Sequence, residues 1–179
     1  MDIIIDLKNY DGKEPAFHRT AARAIITEGD KYLLVYSKYG DYKFPGGGRE
    51  EGETLEDTVV REVQEETGYC VKRESIKKYG KVHEIRKGMY DNLLIMDSHY
   101  YFCQIEEEAG NRNLDAYEAE YDYNVIWLAL PEAIEMNRKI ADTAISPWVI
   151  REIEVMERII KEGGAGETEK LQKNTVEQD

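Results

Sequence analysis

Apolar and polar residues alternate in short stretches over much of the chain, and this alternation predicts β-strands. The stretches with the pattern are residues 1–7, 19–27, 31–37, 69–82, 93–105 and 125–130. The polar triplet Glu28-Gly29-Asp30 lies between the second and the third stretch, where it is typical of a hairpin turn. The charged residues 83–92 are predicted to separate the fourth strand from the fifth.

Apolar residues recur every three or four positions in three other segments, which predicts helices. The first begins after Thr54, whose side chain is expected to cap it together with Asp57, and ends at Gly68. A short helix is predicted from Pro131 and a longer one over residues 148–161. Strands on both sides of a central helix, followed by further helices, predict an α/β fold in which helices pack on the faces of a mixed sheet.

The length of 179 residues suits one domain, which we predict to span residues 1–162. Residues 163–179 lose the apolar periodicity and are predicted to form a flexible tail. No apolar run approaches the roughly 20 residues that a membrane span requires. The only cysteines are Cys70 and Cys103, and the N-terminus has no basic and apolar leader, so we expect reduced thiols in the cytoplasm.

The charge of the chain bears on its partners. The chain has 24 basic and 37 acidic residues, a formal net charge of −13. This balance disfavours binding to a long phosphate backbone, so nucleic acid is not expected as a partner. The same acidity would repel a small polyanionic substrate, and a site for one is therefore expected to contain cations.

The predicted central helix places acidic residues where its apolar face is expected. At about 100° per residue, Glu62 and Glu66 share the face of Val59, and Glu65 lies on the other side of Glu62. Carboxylates about 5 Å apart repel each other by roughly 3 kcal/mol at an effective dielectric constant of roughly 20. Either these acids are solvated, because Glu is simply a good helix former, or a cation lies among them. A set of oxygen ligands favours Mg²⁺ or Mn²⁺ over zinc.

The residues around this helix favour the cation. From Gly47 the chain reads glycine, five residues, glutamate, seven residues and then Arg-Glu-aliphatic-any-Glu-Glu-any-Gly. This run resembles the signature of Nudix (MutT-like) hydrolases, and the matching positions are Gly47, Glu53, Arg61, Glu62, Val63, Glu65, Glu66 and Gly68. Tyr69 departs from the signature, which usually has a bulky aliphatic residue there, and we expect this to affect packing. The resemblance implies an α/β/α sandwich with a mixed sheet.

The resemblance also implies roles for individual residues. Glu62, Glu65 and Glu66 are implied as ligands of Mg²⁺, for which Mn²⁺ can substitute, and the backbone carbonyl of Gly46 is implied to join them. Arg61 and Glu53 are implied as a supporting ion pair that orients the helix. The alternative for Arg61 is a surface pair with Glu65 four residues later, which contributes only a few tenths of a kcal/mol.

The implied reaction is hydrolysis of a nucleoside diphosphate linked to another group, with water attacking phosphorus. The base is a glutamate of the signature in some members, here Glu65 or Glu66, and a carboxylate on a later loop in others. The later candidates are Glu118, Glu120 and Asp122, of which we favour Glu120. The alternative function is a Nudix-like ligand sensor without hydrolysis. The intact signature favours the enzyme.

Substrate choice is less constrained by the sequence. Resembling enzymes for ADP-ribose and for dinucleoside polyphosphates carry downstream marker residues, which are absent here because those positions fall on Glu84 and on residues 85–87. Arg23 and Tyr42 precede the signature on or near the predicted strands. Either Arg23 reaches a phosphate or a base and Tyr42 stacks on a ring, or both side chains simply decorate strand edges, as basic and tyrosine side chains commonly do. A homodimer is compatible with the resemblance, since resembling enzymes often dimerise.

Overall fold

The computed structural model describes residues 1–141 and 146–163. The strands are β1 (Asp2–Asp6), β2 (Ala16–Ile25), β3 (Thr27–Glu28), β4 (Lys31–Tyr36), β5 (Tyr42–Lys43), β6 (Gly46–Gly48), β7 (Tyr69–Val71), β8 (Lys77–Lys87), β9 (Leu93–Phe102), β10 (Ile105–Ala109) and β11 (Asn124–Leu128). The helices are α1 (Leu55–Thr67), α2 (Ala116–Glu120), α3 (Leu130–Ile140) and α4 (Val149–Lys161), and a single 3₁₀ turn covers Arg73–Ser75.

The strands form two main sheets. The larger has the order β1-β8-β9-β2-β6 and is mixed, because β1 is parallel to β8 and β9 is parallel to β2, whereas the other two pairs are antiparallel. The second sheet is antiparallel and has β4 paired with β11, β3 and β5. A separate antiparallel pair joins β7 and β10.

Helices pack on opposite sides of these sheets and bury separate apolar clusters. Val59 and Val63 of α1 lie in one cluster with Ala22 and Ala24 of β2. The α3 and α4 side chains lie in the other cluster, in which Met156 packs with aromatic and aliphatic residues of both sheets. The α/β fold with a mixed sheet and helices on its faces is therefore confirmed.

The central helix has the predicted limits. Thr54 accepts a hydrogen bond from the backbone N–H of Asp57, and the Asp57 carboxylate accepts one from the backbone N–H of Thr54, which completes a capping box. Gly68 ends the helix with a left-handed backbone, φ 81°. Local sequence thus determines where α1 begins and ends.

Two strand predictions were wrong in their limits. Residues 19–27 are not one strand of a hairpin, because β2 ends at Ile25 and pairs in the larger sheet, and only Thr27–Glu28 pair with β4. Residues 69–82 do not form one strand. The 3₁₀ turn separates β7, which pairs with β10, from β8, which pairs with β9. In both cases the chain passes from one sheet to another within an apolar stretch.

The charged residues 83–92 do not separate two strands as predicted. β8 continues through them to Lys87, and only residues 88–92 form the turn into β9. Glu84 and Arg86 fit inside the fold because the Arg86 guanidinium lies 2.7 Å from the Glu84 carboxylate and both side chains are buried. Charge pairing therefore allows a charged stretch to remain in a buried strand.

Arg151 of α4 is also buried and forms an ion pair with Glu84. Its guanidinium contacts Glu84 at 2.8 Å and Glu152 at 2.9 Å. Glu152 also accepts hydrogen bonds from the backbone N–H of Phe44 at 3.0 Å and from the Tyr100 hydroxyl at 3.2 Å. A buried ionic network thus joins α4 to the larger sheet.

The extent of the domain and of the tail stays a prediction. Residues 164–179, which make up almost all of the predicted tail, lie outside the described residues. Within the described ranges, no helix combines the length and the apolar character needed to cross a bilayer.

Candidate active site

Three buried carboxylates meet beside the C-terminal half of α1. Glu62 and Glu66 come from this helix and Glu118 comes from α2, and one carboxylate oxygen of each lies within 4.8 Å of the others. Glu66 is fully buried and accepts a hydrogen bond of 2.7 Å from the backbone N–H of Gly46. Its other oxygen lies 2.7 Å from the ammonium group of Lys43. We call Glu62, Glu66 and Glu118 the acid group.

Glycines let the acid group approach the sheet. α1 packs against β6, which consists of Gly46, Gly47 and Gly48. A Cβ atom at Gly46, whose φ is 145°, would lie 2.2 Å from the carbonyl oxygen of Ala22. A Cβ atom at Gly47 would lie 2.4 Å from a carboxylate oxygen of Glu62. A side chain at Gly46 would therefore push β6 away from β2, and one at Gly47 would displace the Glu62 carboxylate.

Proximity and burial change the ionisation of the acid group. Burial and the charge of Glu66 raise the pKa of Glu62 to about 7, although Arg61 opposes the shift. Burial and Glu66 likewise raise the pKa of Glu118 to about 8. Without a cation the three carboxyl groups therefore do not all ionise readily near neutral pH. A cation among them would reverse both shifts, and the oxygen-only donor set fits a hard divalent ion.

Arg61 connects α1 to the segment that precedes it, which contains Gly48 and Glu53. Its guanidinium binds the Glu53 carboxylate at 2.6 Å and 3.0 Å and the carbonyl oxygen of Gly48 at 3.0 Å. It also donates to Glu62 at 2.9 Å and to Glu65 at 3.0 Å. The hydrogen bond from Arg61 is the main reason why the pKa of Glu53 is lowered to about 2. The expected pair of Arg61 and Glu53 is present, and the pair with Glu65 accompanies it.

The remaining predicted site residues lie in different places. Glu65 is half-buried and lies outside the acid group. The carbonyl oxygen of Gly46 accepts a hydrogen bond of 3.0 Å from Arg23. Glu120 is exposed, and the structure brings Glu118 rather than Glu120 to the acid group. Tyr42 stacks on Tyr36 with ring centroids 5.5 Å apart and packs against the α3 and α4 cluster.

A cavity of about 330 Å³ opens beside the acid group. Its lining includes the predicted Arg23, and also residues that the sequence analysis missed, among them Lys43, Arg86, Asp115, Trp148 and Arg151. Tyr42 is absent from this lining, because neighbouring residues of a strand point to opposite faces and Lys43 takes the inner one. Glu84 and Arg86 fall on the same side of β8 as the apolar Val82, and this alternation was the signal that could have found Arg86.

A family model described as the NUDIX domain matches residues 17–149. The chain is 33% identical over 111 residues to a putative 8-oxo-dGTP diphosphatase of Bacillus subtilis, covering 62% of this chain and 63% of that protein. It is 43% identical over 76 residues to an ADP-ribose pyrophosphatase of Methanocaldococcus jannaschii, covering 40% of this chain and 43% of that protein. The chain thus matches less than two thirds of the length of either relative.

Solved structures resemble the fold. A NUDIX hydrolase from Nitrosomonas europaea has a TM-score of 0.51 and 21% identity, covering 78% of this chain and 90% of that one. The E. coli ORF135 protein has a TM-score of 0.53 and 18% identity, covering 83% of this chain and 94% of that one. At these identities the likeness concerns the fold alone. Because the family model spans most of the chain, including every position of the signature, the chain belongs to the Nudix (MutT-like) family.

Proposed function

We propose that this chain is a divalent-metal-dependent hydrolase that cleaves the pyrophosphate linkage of a nucleoside diphosphate linked to another group. The observation that carries the proposal is the acid group, three buried carboxylates at the edge of a cavity that is also lined by Arg23 and Lys43. The names of the two relatives support the substrate class, since 8-oxo-dGTP and ADP-ribose both contain a nucleoside diphosphate.

Glu62 and Glu66 would hold Mg²⁺ or Mn²⁺ beside Glu118. Such an ion neutralises phosphate charge, polarises the phosphoryl oxygen and lowers the pKa of a water molecule. Arg23 and Lys43 add positive charge beside the acid group, where an anionic substrate would otherwise be repelled by a chain of net charge −13. Arg61 orients Glu62, since it binds that carboxylate and the carbonyl oxygen of Gly48 at the same time.

Glu118 is the member of the acid group best suited to accept a proton. Glu66 is held by Lys43, and Glu62 is held by Arg61. Glu118 accepts a hydrogen bond of 3.0 Å from the backbone N–H of Asp115 and forms no ion pair within the described residues. We therefore assign to Glu118 the role of base that the sequence analysis assigned to Glu120, namely taking a proton from the attacking water.

The proposed function is tested by release of phosphate and pyrophosphate from a substrate panel. The panel contains nucleoside triphosphates, nucleotide sugars, ADP-ribose and dinucleoside polyphosphates, each with Mg²⁺, with Mn²⁺ and with a chelator. We expect turnover of at least one nucleoside diphosphate derivative, and loss of that turnover when the chelator removes the metal. Nucleotide binding without turnover in any metal condition would instead favour the ligand sensor.

Glu118→Gln is expected to reduce kcat by roughly a hundredfold to ten thousandfold, the usual contribution of a general base. The matched control is Glu120→Gln, which is expected to stay near wild-type activity because that side chain is exposed and outside the acid group. The assay should also record the Mg²⁺ concentration for half-maximal activity, which a base variant leaves unchanged and a metal-ligand variant raises. A larger loss of kcat in Glu120→Gln than in Glu118→Gln would show that Glu120 is the base, as the sequence analysis predicted.

The other expectations about partners stay predictions. A small phosphorylated nucleotide is proposed as substrate, and nucleic acid is disfavoured by the net charge of −13. Cytoplasmic location and a homodimer are also predictions, which cell fractionation and analytical ultracentrifugation would test.

A further inference from the structure

We propose that the ammonium group of Lys43 competes with the divalent ion for Glu66, and that a phosphate group of the substrate ends this competition by binding the ammonium group. Metal binding and phosphate binding are then coupled through one side chain. The inference rests on the proposed function, because it takes the acid group as the metal site and the cavity beside it as the place where phosphates bind.

The ammonium group of Lys43 lies against the acid group. Its nitrogen is 2.7 Å from one carboxylate oxygen of Glu66, which is the only ion pair of Lys43 within the described residues. Burial and Glu66 raise the pKa values of Glu62 and Glu118, and the positive charge of Lys43 opposes both shifts. All three carboxyl groups therefore interact with this one cation.

Side chains of two helices hold the backbone on both sides of Lys43. Asn137 of α3 accepts a hydrogen bond of 2.7 Å from the backbone N–H of Tyr42 and donates one of 2.8 Å to the Tyr42 carbonyl oxygen. Glu152 of α4 accepts one of 3.0 Å from the backbone N–H of Phe44. Asn137 and Glu152 are both fully buried. Tertiary contacts thus fix the point from which the Lys43 side chain reaches Glu66.

Burial and an aromatic ring keep the ammonium group in this place. Lys43 is buried, and its nitrogen lies 4.3 Å from the centroid of the Tyr123 ring, which is a favourable position for a cation. A buried charge is costly unless it keeps an oppositely charged or hydrogen-bonding partner. The ammonium group is therefore expected to leave Glu66 only for another anion.

A divalent ion on Glu66 would meet this ammonium group directly. One oxygen of Glu66 accepts a hydrogen bond from Lys43, and the other accepts one of 2.7 Å from the backbone N–H of Gly46. Mg²⁺ binds oxygen at about 2.1 Å, so an ion that shared the first oxygen would lie at most about 5 Å from the Lys43 nitrogen. Like charges repel strongly at this distance in a partly buried site. We therefore expect weak metal binding while the ammonium group stays on Glu66.

A phosphate group can end this competition. Lys43, Arg23 and Glu62 all line the cavity through which a phosphate reaches the acid group. Phosphate oxygens are strong acceptors for an ammonium group. When Lys43 turns from Glu66 to a phosphate, it keeps an anionic partner and leaves the Glu66 carboxylate to the metal. Each ligand then increases the affinity for the other by the same factor.

The test measures metal affinity, so it does not depend on turnover. Calorimetric titration follows Mg²⁺ binding to the wild type, Lys43→Met and Lys43→Gln, without and with adenosine 5′-monophosphate. At about pH 9 the carboxyl groups of Glu62 and Glu118, with pKa values of about 7 and about 8, are ionised and do not release protons to the titration. The nucleotide is expected to increase the affinity of the wild type for Mg²⁺ at least about tenfold. Without nucleotide, both variants are expected to bind Mg²⁺ at least about tenfold more tightly than the wild type, because the competing charge is gone. The nucleotide should then add about threefold or less.

Lys38→Met is the matched control, because Lys38 is exposed, lies outside the cavity lining and donates only to the carbonyl oxygen of Glu120 among the printed sequence neighbours of the site. It is expected to match the wild type in both titrations. Lys43→Gln keeps a hydrogen-bond donor for Glu66 without the charge, so it tests the competition even where Lys43→Met does not fold.

Unchanged or weaker Mg²⁺ binding in the Lys43 variants would overturn the competition. An equal effect of the nucleotide in the wild type and in these variants would overturn the coupling. Turnover by a protein whose Mg²⁺ affinity does not depend on Lys43 would retain the proposed function and lose the inference. A protein that shows the coupling but hydrolyses none of the panel would do the reverse, and a wild type that binds no Mg²⁺ in either titration would overturn both.

Discussion

Glu66→Gln is expected to lower kcat by about a thousandfold or more, equivalent to about 4 kcal/mol of transition-state stabilisation. Glu66 is the most deeply buried member of the acid group, and its two oxygens contact the N–H of Gly46 and the ammonium group of Lys43. Glutamine keeps an oxygen for Gly46 but removes the charge that a divalent cation requires. The measurement is steady-state hydrolysis of the best panel substrate, together with calorimetric titration of Mn²⁺.

The control must separate loss of the metal site from loss of folding. Glu66→Gln leaves the Lys43 ammonium buried without its counter-ion, which is expected to lower the free energy of unfolding. Adding Lys43→Met to Glu66→Gln removes that unpaired charge and should restore stability, but not Mn²⁺ binding or turnover. Glu65→Gln, on the half-buried side of the same helix, should be much less severe. Wild-type Mn²⁺ affinity in the double variant would contradict the role of Glu66 as a ligand.

The part of the site that the sequence predicts is the part determined by local spacing. Glu62 and Glu66 lie one helical turn apart, and the capping box of Thr54 with the stop at Gly68 places that turn within the chain. The cation expected from their repulsion is consistent with the raised pKa of Glu62. For these residues a regular helix and a local motif were enough to predict their proximity.

The residues that the sequence analysis misplaced are positioned by tertiary contacts. Glu118 and Glu120 lie two positions apart in a five-residue helix, so periodicity cannot tell which of them turns inward. Tyr42 and Lys43 are neighbours in a two-residue strand, and the pairing of β5 with β4 decides which faces the cavity. Elements of two to five residues are too short for a pattern of apolar and polar positions to show which side chains face the protein interior.

The ionic network shows a second limit of the sequence. Charged residues are usually solvated, so the stretch with Glu84 and Arg86 was predicted to separate two strands. Their partner Arg151 lies 67 residues after Glu84 and was not recognisable as such. Long-range pairing therefore explains both the error in the limits of β8 and the omission of Arg86 and Arg151 from the predicted site residues.

Arg151→Met is expected to lower the free energy of unfolding by about 3 to 5 kcal/mol, because it removes the buried cation that Glu84 and Glu152 share and leaves Glu84 with Arg86 alone. Arg151 is 1% exposed and pairs with Glu84 and Glu152, which are equally buried. The measurement is urea unfolding at pH 7. The control is Arg138→Met, which breaks the exposed pair with Glu157 and should cost at most about 1 kcal/mol. Equal losses in the two variants would show that burial does not determine the contribution of the Arg151 pairs.

Acid titration distinguishes the ionic contribution of this network from simple packing. Burial by itself would raise the pKa of Glu84, but the guanidinium groups of Arg151 and Arg86 lower it below its ordinary value. A carboxyl group whose pKa is lowered on folding stabilises the fold above its unfolded pKa of about 4.3, and this contribution is lost as the pH falls through the folded value. The difference in unfolding free energy between the wild type and Glu84→Gln should therefore be constant from about pH 5 to about pH 7, where the unfolded carboxyl group is largely ionised, and decrease below about pH 4. A difference that stayed constant throughout acid unfolding would assign the effect of Glu84 to packing, because packing does not depend on the protonation of the carboxyl group.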